Sequence, residues 1–159
     1  PKKPIPYLKK IFKRTSYNLI QKQSLHSQEI SNHVVYLAKD KAVRDIMRIY
    51  QKKIIRKNKR ICVEGRDIAT KILNKNPRYD LAFYFTCKIN IAAKRRWKEL
   101  KKKVPLKEVQ KSLAKRTKMD KKRKHSPLKK VNDAILIRTD RLSKKEVLRK
   151  MSNEVDKKI

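Results

Sequence analysis

A chain of 159 residues has room for one domain, and 48 Lys+Arg against 14 Asp+Glu, a formal charge of +34, is more like charge than a compact body holds comfortably without an anionic partner. No run approaches the roughly 18 apolar residues needed to cross a bilayer, and Cys62 and Cys87 do not combine with His26, His33 and His125 at any zinc-ligand spacing, so neither a membrane span nor a structural metal is expected. The positive charge runs the whole length and is not confined to one amphipathic helix, which favours nucleic acid over a membrane surface or an acidic protein, with an affinity that falls steeply with salt.

From Pro1 to Gln28 there is no acidic residue, and Lys2, Lys3, Lys9, Lys10, Lys13 and Arg14 alternate with prolines, Tyr7, Ile11 and Phe12. Proline blocks an early helix, so residues 1–23 read as an extended basic arm suited to a phosphate backbone, ahead of one domain over 24–159. A tail without fixed structure and the remnant of an organelle-targeting segment remain open alternatives. The chain has no secretory apolar core and starts at Pro1 in place of Met, which leaves processing or a missing segment open.

Between Ser27 and Lys57 the apolar residues recur at helical spacing, which predicts two helices with a break near Asp40. Arg60 to Val63 is a short β-branched run ended by a turn at Gly65, and Leu81 to Cys87 is an apolar run rich in aromatics; both read as buried strands. The two cysteines on them read as small core residues in a reducing compartment. Asn90 to Lys103 predicts a helix with a very basic outer face, and Leu106 to Met119 a second one. Asp120 to Lys130 is basic and irregular, interrupted by Pro127, and Ala134 to Ile137 is a third strand candidate. Ser143, with Glu146 three positions on, forms a capping box that opens the last helix. Alternating strands and helices argue for an α/β layer with parallel strands.

The order of the segment Val63-Glu64-Gly65-Arg66-Asp67-Ile68-Ala69-Thr70, the Ala93-Lys94-Arg95-Arg96-Trp97-Lys98-Glu99-Leu100 helix, the basic stretch from Arg116 through Asp120 to Arg123, Ser126-Pro127-Leu128 and the strand Asp133 to Ile137 resembles the bacterial-type cytidylate kinases over roughly Tyr17 to Met151. The resemblance implies an incomplete nucleoside-monophosphate-kinase-like parallel sheet flanked by helices. It also implies a nucleotide site at Arg66, Asp67, Arg116, Asp120 and Arg123, and lid-side roles for Arg95 and Arg96. Arginine's planar fork matches phosphate oxygens, and aspartate accepts from a ribose hydroxyl or an exocyclic amine.

The departures from the family bear on function. Gly65 is the only glycine, so no phosphate loop of pattern GxxGxGK[ST] can be built, and the loop-bearing central strand that would lie between Arg60–Val63 and Leu81–Cys87 has no counterpart. The gap could be filled by Tyr17 to Ile20 or by a strand of another chain, or the sheet could contract. His26, Ala92, Thr117 and Lys118 also depart from the family's usual residues. Read together with the charge, this gives the expectation of a non-catalytic structural RNA-binding protein descended from a cytidylate kinase, a component of a mitochondrial or other organellar ribosome, with a vestigial nucleotide site, no cofactor, and ribosomal RNA and ribosomal proteins as partners. Its RNA contacts would be Lys2, Lys3, Lys9, Lys10, Lys13, Arg14, Lys94, Arg95, Arg96, Lys101, Lys102, Lys103, Lys121, Lys122, Arg123 and Lys124. The alternative is the C-terminal part of an active kinase transferring phosphoryl from ATP to CMP or dCMP, its phosphate loop carried on a missing segment or a separate chain.

Overall fold

A computed structural model describes residues 37–158, with Pro6, Tyr7, Lys10, Ile30 and His33 besides. The rest of the expected arm over 1–23, the first of the two helices expected after Ser27, and the Tyr17–Ile20 segment lie outside the described residues. The fold is α/β, a two-stranded parallel sheet flanked by helices, in the order α1 (Lys41–Arg56), a π-helical turn (Ile68–Ile72), β1 (Phe83–Thr86), α2 (Ile89–Glu99), α3 (Leu106–Lys122), β2 (Ile135–Arg138) and α4 (Lys144–Asp156). No helix among the described residues is long and apolar enough to cross a membrane.

The break near Asp40 is a helix cap. The Asp40 carboxylate accepts from the Ala42 N–H at 2.7 Å and the Val43 N–H at 3.1 Å, satisfying two donors that the first turn of α1 leaves unpaired. The apolar face of α1 ends at Ile55, which packs with Ile72 and Leu73 of the π-turn and with Val63, Ile68 and Tyr79 around them. Gly65 does not have a positive φ. It is needed for space, because a Cβ there would meet the Ile68 side chain at 2.7 Å.

β1 and β2 run parallel in the register Phe83 to Ile135 through Thr86 to Arg138. The crossover is α2 and α3, which close around Ala93, fully buried, and Val109, 1% exposed. α2 stops at Glu99, four residues short of the expected Lys103, because Lys101 and Lys102 both take left-handed backbone, φ 50 and φ 60, which no helix continues through. α3 extends to Lys122, past the expected Met119. Ser143 and Glu146 form the capping box of α4 in full: the Glu146 carboxylate accepts from the Ser143 N–H at 2.7 Å, and the Ser143 hydroxyl accepts from the Glu146 N–H at 3.3 Å.

Two expectations need correcting. Arg60–Val63 is not a strand; no described strand lies beside it, and a β-branched run without a ladder partner has nowhere to place its backbone hydrogen bonds. Cys62 is accordingly exposed and Cys87 only partly buried, so neither is a core residue; both are free thiols.

Candidate nucleotide-binding site

Five residues singled out in the sequence, Arg66, Asp67, Arg116, Asp120 and Arg123, meet in one place. They line a cavity of about 120 Å³ together with Arg44 and Ala38. Each is positioned by local structure. Asp67 leads directly into the π-turn, where its carbonyl accepts from the Lys71 N–H at 2.8 Å and the Thr70 hydroxyl at 3.3 Å. Burial of Ile72 and Leu73 against α1 anchors that turn. Arg116 and Asp120 stand four apart on one face of α3. Arg123 caps the same helix and turns inward, its Nε donating to the carbonyl of Ser126, which adopts φ 53. The Leu128 N–H closes the loop by donating to the Asp120 carbonyl at 2.8 Å.

Two carboxylates hold the guanidiniums apart and in place. Asp67 is 9% exposed and Asp120 6%. Arg44 of α1 is ion-paired to Asp67 and also donates to the Ala38 carbonyl at 3.3 Å. Arg123 lies between both acids, with Nη1 3.1 Å from Asp120 Oδ1 and Nη2 3.9 Å from Asp67 Oδ1. Arg66 Nε is 3.6 Å and Arg116 Nε 4.0 Å from the second oxygen of Asp120.

Four guanidiniums against two carboxylates leave the cavity with an excess of two positive charges. Burial first, and then the neighbouring Arg66, lowers the pKa of Arg116; burial and then Arg44 lowers that of Arg123. Both shifts mark positions where added negative charge is stabilising. Three buried polar atoms here, Arg44 Nε, Arg123 Nη2 and Asp120 Oδ2, have no hydrogen-bond partner among the described residues. Unsatisfied buried polar atoms are rare and costly, and these three share one cavity, so the site has donors and an acceptor to offer an anionic ligand.

Arg44 was not identified from the sequence. Its signal was an arginine beside buried Val43 on the inward side of an amphipathic helix, where an unpaired charge would be expensive. The lysine-rich residues behave differently. Lys94, Lys101, Lys102, Lys103, Lys121, Lys122 and Lys124 are exposed, as is Lys10, and Lys102 Nζ sits 5.2 Å from the Trp97 ring centroid. Lys2, Lys3, Lys9, Lys13 and Arg14 lie outside the described residues. The Arg95 and Arg96 pair is split. Arg95 straps α2 to the chain after β2, donating to the Thr139 carbonyl at 2.7 Å and the Leu142 carbonyl at 3.1 Å. Arg96 pairs with Glu99 at 3.2 Å, and its charge is felt at Arg116.

Residues 11–157 match the family model described as cytidylate kinase. A cytidylate kinase of Rickettsia akari (strain Hartford) is 34% identical over 138 residues, which take in 85% of this chain and 62% of that protein. A cytidylate kinase of Alkaliphilus oremlandii (strain OhILAs) is 35% identical over 134 residues, 82% of this chain and 60% of the relative. A bifunctional pantoate ligase/cytidylate kinase of Prochlorococcus marinus subsp. pastoris is 35% identical over 140 residues, 86% of this chain and 27% of the relative. The chain thus spans about three fifths of the length of the two monofunctional relatives.

These matches overturn the expectation of a non-catalytic ribosomal RNA-binding protein. The relatives bear an enzyme's name, and nothing in the matches points to ribosomal RNA, ribosomal proteins or a mitochondrial ribosome as partner or location. The reason for the error is physical. Net charge reports attraction to polyanions in general, and it specifies neither which anion is bound nor what chemistry follows.

Proposed function

The chain belongs to the cytidylate kinase family, and from that premise we propose that it forms the acceptor side of an enzyme that transfers the γ-phosphoryl group of ATP to CMP or dCMP. The observation that carries the reading is the cavity bounded by Arg44, Arg66, Arg116 and Arg123, with its buried unpartnered donors. In the transfer, an oxygen of the CMP phosphate forms a bond to the γ-phosphorus while the bond from that phosphorus to the β–γ bridging oxygen breaks, and ADP leaves with the electron pair. Two anions must approach each other, so the main task of the protein is charge neutralisation and alignment.

Arg66, Arg116 and Arg123 bind the acceptor phosphate, and the buried carboxylates of Asp67 and Asp120 fix the guanidinium planes. Asp67 also accepts from the exocyclic amine or ribose hydroxyl of the nucleoside. Arg96, whose charge is felt at Arg116, stabilises charge on the transferring group. The donor's phosphates need a glycine-rich loop, and Gly65 is the one glycine in these 159 residues, so that loop comes from polypeptide outside them.

Calorimetric titration of the chain with CMP, dCMP, UMP and AMP tests this. CMP and dCMP are expected to bind at least about tenfold more tightly than UMP, since a site that hydrogen-bonds an amine rejects a carbonyl in its place. Absence of CMP binding by the folded chain at millimolar nucleotide would refute the proposal.

A further inference from the structure

α3 has two faces of opposite character. Val109, Leu113, Arg116 and Asp120 follow one another at spacings of four, three and four residues and turn inward, toward α2 and the arginine cavity. A second row repeats at the same 4–3 spacing on the outer side: Lys107, Lys111, Ala114, Lys118 and Lys121, every one of them exposed. Lys115 and Lys122, also exposed, stand beside that row, so lysines and one alanine fill an arc of about 120° along about 22 Å of helix. The two acids of α3 do not offset them, since Glu108 sits at the margin of the arc and Asp120 is committed to the arginines. The lysine ion pairs among the described residues are those of Lys41 and Lys157, which leaves the lysines of this face without a carboxylate of their own. Like charges four residues apart weaken a helix, and an anionic partner relieves that repulsion.

We propose that the outer face of α3 docks an acidic α-helix of another polypeptide, with Asp or Glu on a 4–3 repeat facing the lysines. The spacing is that of one helix laid along another. Ala114 decides the class of partner. It stands at the middle of the row with lysines before and after it, and its methyl group does not hold a second helix beyond the roughly 8–10 Å at which helices pack. A nucleic-acid duplex or an anionic bilayer is met through extended cations, and the centre of this face has none to extend. A single exposed ion pair gains little, so the affinity comes from several pairs in register and falls with salt. The chain does not supply the helix itself: residues 1–28 hold no acid, every described helix carries more Lys and Arg than acid, and a second copy sets +34 against +34. Arg116 and Asp120 lie on the opposite side of α3, so docking leaves the arginine cavity open and does not depend on what that cavity binds.

The test uses the full chain and two fluorescent peptides, both cross-linked to stay helical. One carries Glu at a 4–3 repeat on one face; the other has the same composition with its Glu spread around the helix. The first is expected to bind at least about tenfold more tightly by fluorescence anisotropy at physiological salt, since only it meets the lysines in register. Lys107→Gln, Lys111→Gln, Lys118→Gln and Lys121→Gln combined are expected to erase that difference, with circular dichroism confirming that the variant folds. Ala114→Arg adds a positive charge but fills the gap, and is expected to weaken binding of the first peptide at least about fivefold. Equal affinity for the two peptides, or a difference that survives the Gln replacements, would overturn the proposal. Unchanged or tighter peptide binding by Ala114→Arg would do the same, because that is the response of a surface that answers to charge alone. Displacement of the first peptide by a duplex oligonucleotide or by phosphatidylserine vesicles at a lower concentration of charge would also overturn it, and would assign the face to nucleic acid or to membrane. CMP binding is expected to be the same with and without the first peptide, so failure here is distinguishable from failure of the acceptor-site reading.

Discussion

The arginine cavity and the lysine-rich outer faces of α2 and α3 carry charge of the same sign, yet only the first is organised. In the cavity each guanidinium is held by a buried carboxylate, Asp67 or Asp120, and two of them pay for burial in a lowered pKa. Lys121 and Lys122 on α3, and Lys101 and Lys103 in the connection between α2 and α3, stand in solvent, where ammonium groups gain little from any single partner. Local geometry around a charge, more than the number of charges, decides whether it recognises a ligand.

The largest effect is expected at Asp120, which touches Arg66, Arg116 and Arg123. Asp120→Ala leaves three guanidiniums without their shared anion and should cost about 3–5 kcal/mol of stability in chemical denaturation. A loss under 1 kcal/mol would mean that the carboxylate does not organise the cluster. Next comes Arg44→Ala, which frees Asp67 from its partner; CMP affinity should fall about 10- to 100-fold, or about 1.4–2.7 kcal/mol. Gly65→Ala, which drives a Cβ against Ile68 beside the cavity, should destabilise by about 1–3 kcal/mol.

The outer face provides the small effects. Replacing Lys101, Lys102 and Lys103 together by Gln should leave CMP affinity within about twofold at physiological salt, because exposed charges are screened. Ser143→Ala should cost about 1 kcal/mol by removing the α4 cap. The Ser143 hydroxyl, and then its backbone N–H, hold the Glu146 carboxyl below its ordinary value. A depressed folded-state pKa contributes stability that is present above the unfolded value near 4.3 and is lost as pH falls through the folded one. Helical signal from α4 should therefore weaken on acidification below about pH 4 in the wild type, and the acid dependence should flatten in Ser143→Ala.

Much of the fold was legible wherever local rules suffice. The break near Asp40, the Ser143–Glu146 box, both paired strands and the helices of the crossover are fixed by side chain to backbone bonds and by periodicity, which short stretches of sequence carry. Arg60–Val63 was misread because a strand is a relation between two segments, and the run supplies only one of them. The C-terminal end of α2 was misplaced because left-handed lysines carry no compositional mark. Within the site, the family resemblance brought out the five residues that the fold gathers, whereas Arg44 sits on a helix whose sequence neighbours signal only amphipathicity. Function was misjudged for a related reason: a charge of +34 dominates the composition, while the part of it gathered around buried carboxylates is four arginines.

The most direct test of the central claim is NMR of the chain titrated with CMP, following the Nε–Hε signals of Arg44, Arg66, Arg116 and Arg123 beside the ammonium signals of Lys101, Lys102 and Lys103. The arginine signals should shift together and saturate with one CMP per chain while the lysines stay in place. Shifts confined to the lysines, or growing without saturation, would contradict an acceptor site in the cavity.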